Sequence, residues 1–408
     1  MDKRVYWIWL QQALGLGNPL SGKLMALYPH VEDLYAADEK ALKAAGCGEK
    51  VLKHLCDKSL RSAERILQKA TKNGGWVLTP DDAYYPSLLR GIYALPVVLY
   101  GRGTMPDLDR YPAVSVAGTR HLTGYGREIA WELGAGLATG GMVLVTGGTL
   151  GIETAAVLGA LEAGGIVVDI QACDLAREYP APNIELRRRI AEQGALLTEC
   201  PPGVTYPNYK LRNRIISGMV WGVCMVEAAM GSGSLSLANY AMEQGRDVFA
   251  VPGAITAPTS EGTNHLIQEG AKLVHCAADI LEEYESRFPD ILDMAAAQEA
   301  APAIHAAFKK KYEFVKLPVK REEPKERVSV RVADAAALEP KSNVNAVCPA
   351  EASPVAKQVW EALGETPLPV DEIAKRLSLP ISQLLSVLTE LEIFGCVRNH
   401  AGQSYSRN

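Results

Sequence analysis

The chain has 408 residues, 48% of them hydrophobic, with a formal net charge of -5. That length accommodates two or three domains with a sizeable core, and the negative balance excludes a protein that coats nucleic acid through bulk positive charge, so any polyanion site must be a local patch. Eight cysteines without a CxxC pair exclude a disulfide framework or a closely spaced zinc site and read as reduced, mostly buried thiols of a cytoplasmic protein.

Residues 1–72 read as a small helical domain of SAM or helix-hairpin-helix type, with Gly-x-Gly turns at Leu14-Gly15-Leu16-Gly17 and Gly46-Cys47-Gly48. Such turns hold a DNA phosphate on backbone N–H groups or simply join two helices tightly. The leading apolar run is broken by Gln11 and Gln12 and followed by no cleavage site, and no stretch approaches the ~20 apolar residues of a membrane span, so neither a signal peptide nor membrane association is expected.

Residues 73–285 alternate strand and helix patterns. Trp76-Val77-Leu78 and Val97 to Tyr100 read as strands of an edge element, because Pro86 and Pro96 suit boundaries. Near-continuous apolar runs follow at Ala113–Ala117, Met142–Thr146, Ile166–Ile170, Ala195–Thr198, Val220–Val226, Asp247–Val251 and Lys272–Val274. With helical patterns between them, they predict an α/β fold with a doubly wound, mostly parallel sheet. Residues 286–352 turn alanine-rich and then basic from Lys309 to Arg331, the composition of a flexible linker. Residues 353–408 read as three helices and a hairpin around Ala401-Gly402, a winged helix. Its third helix carries Gln383, Thr389, Glu390 and Glu392 and no cation, which opposes duplex reading and favours protein contact or a structural role.

Three glycine-bearing turns recur at strand ends: Gly118-Thr119-Arg120, Gly147-Gly148 and Ser232-Gly233-Ser234. Each lets a ligand approach the backbone closely, or merely turns a strand into a helix. Lys210, Arg212 and Arg214 crowd the helix before the Val220–Val226 run, and with Arg120 they turn this sheet edge into a candidate anion site. No Walker lysine, GxSxG elbow or HExxH motif is present, so no catalytic, metal or cofactor residue is assigned. Glu153, Glu199 and Glu227 could serve as acid or base, or cap helices and pair with the arginines. His265 reads as a surface or capping residue.

The succession GTR, TGGTLGIETAAVLGAL, RNRIISG, VEA, SGSL, VPG and GTNHLIQEGA, preceded by DDAYYPSLL, resembles the DNA-processing protein A family (DprA/Smf). The resemblance implies an extended Rossmann-like core that binds single-stranded DNA, forms a homodimer through that core and loads RecA recombinase in natural transformation. It places Gly118, Thr119, Arg120, Arg212, Asn213, Arg214, Ser232, Gly233 and Ser234 in the DNA pocket, with Lys272 a weaker candidate. The chain departs from the family pattern at Leu150, usually Arg, at Glu153, usually Asp, at Val157, usually His, and at Leu237, usually Thr. Tyr209-Lys210 replaces an aromatic-proline pair, and Lys210 returns one of the lost charges. Two other readings stay open: hydrolysis of an N-glycosidic bond by Glu153 or Glu227, and a nucleotide sensor signalling through the winged helix.

Overall fold

A computed structural model of the chain describes residues 2–177, 179–204, 207–312, 354–364, 366–377, 379–393, 396–400 and 404–407. They form two compact units, Met1–Val319 and Lys320–Asn408.

The first unit is built on nine strands: β1 (Trp76–Leu78), β2 (Leu99–Gly103), β3 (Ala113–Ala117), β4 (Val143–Thr146), β5 (Val167–Gln171), β6 (Ala195–Thr198), β7 (Gly222–Met225), β8 (Asp247–Ala250) and β9 (Lys272–Leu273), in the order β1-β2-β6-β5-β4-β3-β7-β8-β9. Every pairing from β6 across to β9 is parallel, while β1 and β2 join antiparallel at one edge. Val114, Val116, Val145, Val167, Val168 and Val223 are buried, as strands covered by helices on both faces require. The chain leaves β3 in one direction for β4, β5 and β6 and later resumes beside β3 in the other direction with β7, β8 and β9. Between the carboxyl ends of β3 and β7, therefore, lies the switch point at which open α/β sheets form their ligand crevice.

The N-terminal residues fold into six helices from Arg4–Leu14 to Arg61–Thr71. Their apolar faces merge with the sheet: Trp7, Leu10, Leu24 and Leu55 belong to the same buried cluster as Val98, Leu99 and Val145. A buried polar link reinforces this seam, since the Gln11 amide donates to the Glu199 carbonyl at 2.9 Å and accepts from the Tyr100 hydroxyl at 2.7 Å.

One expectation is corrected here. The linker read from residue 286 onward contains a helix, Met294–Tyr312, packed on the Gly124–Thr139 helix. Phe308 is buried with its ring centroid 5.7 Å from Trp131, and His305 and Lys309 reach Glu132 and Glu128 at 2.6 and 2.7 Å. Alanine-rich sequence is a good helix former, and Phe308, His305 and Lys309 find partners on the core. The remainder of the expected linker, 313–352, lies outside the described residues.

In the second unit, helices Pro354–Ala362, Val370–Leu377 and Ile381–Ile393 enclose Ala356, Val359, Ile373, Leu384, Leu388 and Leu391. Beside them β10 (Leu368–Pro369), β11 (Val397–His400) and β12 (Ser404–Arg407) pair antiparallel in the order β10-β12-β11. This is the winged helix the sequence predicts. Ala401 and Gly402, and the side chains of Thr389, Glu390 and Glu392, lie outside the described residues.

Candidate functional site

At the switch point opens a cleft of about 620 Å³, walled by Gly118–His121 after β3, by the Asn208–Asn213 stretch, and by Ser232–Ser236 after β7. Each wall has a local cause. Thr119 donates its N–H to the Glu227 carbonyl at 2.7 Å, which ties the first turn to the end of β7. Asn208 caps the Tyr209–Met219 helix, its side chain accepting from the Leu211 N–H at 3.1 Å. Asn213 fastens that helix to the next by donating to the Ser236 hydroxyl at 2.9 Å. The Ser232 and Ser234 hydroxyls lie 2.8 Å apart on the third turn.

Cations divide sharply. Arg120 and Lys210 are exposed on the cleft, and the Arg120 guanidinium sits 4.9 Å from the Tyr209 ring centre, a cation–π contact that holds the fork over the opening. Arg212, although it lines the cleft, is buried: its Nη1 lies 3.5 Å from the Ile170 carbonyl and its guanidinium rests on Gly147. Arg214 does not reach the cleft. It is 4% exposed and forms an ion pair with Glu199 at 2.5 Å. The Gly17 N–H faces the other oxygen of Glu199 at 3.4 Å, and a Cβ on Gly17 would meet Leu211 at 2.4 Å. Gly17 of the first N-terminal Gly-x-Gly turn is thus pressed against protein, whereas Gly15 is exposed with no atom within 4 Å of its Cβ position. Lys272 is also set apart: on the edge strand β9, it pairs with Glu282 at 3.7 Å and with Glu283.

The second glycine turn is filled by side chains. A Cβ on Gly147 would fall 1.0 Å from Arg212 Nη1, and one on Gly148 would fall 2.6 Å from Asp169 Oδ2. Asp169 is fully buried and flanked by Arg187 at 3.5 Å. Burial pushes its carboxyl up to about 6 against the pull of both arginines. Burial likewise raises Glu199, with Arg214 opposing it. Sequence reasoning missed Asp169, Arg187 and Tyr179. The signal for Asp169 was a lone carboxylate inside the apolar run of β5; Arg187, one of three consecutive arginines, carried none.

The three candidate acid–base residues are accounted for. Glu227 accepts from the Thr123 N–H and hydroxyl at 3.0 and 2.6 Å and so anchors the Gly124–Thr139 helix. Glu199 neutralises Arg214, and Glu153 accepts from the Thr149 N–H at 2.8 Å. His265 is exposed beside Glu269 at 3.3 Å. Two triads of metal-type donors, His275 with Cys276 and Asp279, and Glu128 with Glu132 and His305, stand away from the cleft. No helix among the described residues is long and apolar enough to cross a membrane.

Comparison with known proteins agrees with this architecture. The family model for DNA recombination-mediator protein A matches residues 76–285, and the DprA winged helix domain matches 346–403. A putative DNA processing protein DprA from Mycobacterium tuberculosis is 34% identical over 291 residues, covering 68% of this chain and 74% of its own length. Protein Smf from Synechocystis is 28% identical over 413 residues, spanning 100% of this chain and 99% of its own. The X-ray structure of DNA processing protein A from Streptococcus pneumoniae superposes with a TM-score of 0.60 at 34% identity, over 68% of this chain and 97% of that one. With two domain models matched in order and a relative covered over most of its length, this chain belongs to the DNA-processing protein A (DprA/Smf) family.

Proposed function

We propose that this chain is a non-enzymatic single-stranded DNA-binding protein that loads RecA recombinase onto the strand it holds. The observation that carries the reading is the placement of two exposed cations, Arg120 and Lys210, opposite the Ser232-Gly233-Ser234 turn across an open cleft. Guanidinium, ammonium, hydroxyl and backbone N–H groups all suit phosphate oxygens and demand no base sequence. Tyr209, already under Arg120, adds an aromatic face of the sort that stacks unpaired bases. In this reading the protein works as a cytoplasmic homodimer associated through the Rossmann-like core.

The test is a titration of the full chain with single-stranded and duplex oligonucleotides at several salt concentrations. Single strands are expected to bind tighter, and Arg120→Ala to weaken binding and lower the salt slope by about 0.7 for each phosphate no longer neutralised. A preference for duplex, or an Arg120→Ala protein with unchanged affinity and slope, would overturn the assignment. RecA filament growth on the same oligonucleotides, timed with and without the protein, tests the loading step; equal lag times would refute it.

A further inference from the structure

Beside the cleft, and sharing Arg120, Thr149 and Tyr209 with it, lies a narrower recess. Its floor is formed by Gln171, Cys173 and Arg187, and its rim by Tyr179 and Tyr209. The volume is about 50 Å³, room for about three or four water-sized groups. That matches the oxygens of one phosphoryl group and is too small for a nucleobase or a passing strand.

The charges around the recess are unbalanced and incompletely bonded. Arg120, Arg187 and Arg212 converge near it, whereas the buried carboxylates close to these arginines are Asp169 and Glu153, and Glu153 is engaged by the Thr149 N–H. Arg187 is nine-tenths buried and its Nε faces only Asp169 Oδ2, while the Nε of Arg212 and Asp169 Oδ1 have no hydrogen-bond partner. Buried guanidinium groups left with open donors are costly unless something accepts from them. Asp169 offers only a 3.5 Å contact to Arg187. The groups that satisfy several guanidinium forks at once, in a space of this size, are small oxyanions, and a doubly charged one gains most.

We propose that this recess is a subsite for a phosphomonoester dianion, the terminal phosphate of a strand lying in the cleft. The proposal rests on the strand-binding reading and adds to it recognition of a strand end: internal phosphodiesters, singly charged and substituted on two oxygens, remain in the open cleft with Arg120 and Lys210. A free mononucleotide carries the same chemical group and is the alternative source of it.

The experiment compares short oligonucleotides of one sequence bearing a 5′-phosphate, a 3′-phosphate or hydroxyls at both ends, titrated against the full chain at fixed ionic strength. Adenosine monophosphate and inorganic phosphate are tested in parallel by thermal shift. The expected result is about tenfold tighter binding of one phosphorylated end than of the hydroxyl-ended strand, with the preference lost in Arg187→Gln and the hydroxyl-ended affinity held within about twofold. Should Arg187→Gln fail to fold, ³¹P resonance of the terminal phosphate in the unaltered protein decides: a shift confined to that phosphorus supports the subsite, and none overturns it. Stabilisation by adenosine monophosphate that depends on Arg187, with no oligonucleotide bound at all, would uphold the recess and defeat the strand reading. Equal affinity for all ends with no mononucleotide effect, or an end preference that survives Arg187→Gln, would overturn the proposal.

Discussion

Two of the three glycine turns on this sheet edge line the cleft, and one is filled by charged side chains. After β3 and β7 the turns line the cleft: Gly118 itself packs on Glu227 and Ile152, Gly233 has no atom within 4 Å of its Cβ position, and the exposed Arg120 is held over Tyr209. After β4 the turn at Gly147-Gly148 is just as glycine-rich, but the charged side chains of Arg212 and Asp169 fill the space against its backbone. Glycine in such a turn reports close approach, not the identity of what approaches. The same division runs through the basic segment: Lys210 points to solvent, whereas Arg212 and Arg214 are internal. What the plugged half contributes is rigidity, since the Arg214–Glu199 pair and the contact of Arg212 with the Ile170 carbonyl brace the helix that presents Lys210 and Tyr209.

Of the substitutions that probe this division, the largest effect belongs to the buried pair. Glu199→Ala leaves the Arg214 charge buried without a partner and should cost about 3–5 kcal/mol in urea unfolding, whereas Arg120→Ala should stay within about 0.5 kcal/mol. Similar stabilities for the two variants would erase the distinction between inner and outer cations. Next comes Asp169, whose folded carboxyl stands at about 6 against an ordinary value of 3.8. A carboxyl raised on folding favours the protonated native state, so its contribution is full below about pH 4 and is lost as pH rises through about 6, a difference of about 3 kcal/mol. Asp169→Asn should therefore flatten the loss of stability between pH 4 and 6 relative to the unaltered protein. An unchanged profile would mean that the arginines fully offset the burial. A smaller effect separates the glycines. Gly147→Ala must push the Arg212 guanidinium aside and should cost about 1–3 kcal/mol, while Gly231→Ala meets no atom within 4 Å and bears only the strain of its φ of +72°, about 1 kcal/mol.

The strand positions and the winged helix were legible because apolar periodicity and turn residues act locally: each of the seven core runs coincides with a strand to within two residues at either end. The edge element was legible for the same reason, as its prolines cannot sit in a central strand. Side-chain direction was not legible in the same way. Nothing local tells Arg214 from Lys210; the difference arises because Glu199, fifteen positions earlier on the loop after β6, lies under the helix together with the turn at Gly17. The helix Met294–Tyr312 was missed because composition alone does not reveal that Phe308 would find Trp131. Lys272 was placed with the cleft by family pattern, although Glu282 and Glu283 follow close behind it in sequence and claim its charge.

The finest test of the comparison sets two lysines against each other. Lys210 lines the cleft, at the start of the Tyr209–Met219 helix, and no acidic partner holds it among the described residues. Lys272 is held by two glutamates on the opposite side of the switch point, at the end of the strand order. A phosphate contact made by Lys210 releases a counterion from the strand, so Lys210→Ala should reduce the salt slope of single-strand binding by about 0.7 and weaken affinity a few-fold at low salt. Lys272→Ala removes the same formal charge from the same protein but touches no part of the cleft. Long-range attraction at that separation is screened at physiological ionic strength, over a Debye length of about 8 Å. Its slope and affinity should match those of the unaltered protein. Because both variants change net charge equally, any equal loss would implicate the overall field of the protein, and only an unequal loss assigns binding to the cleft.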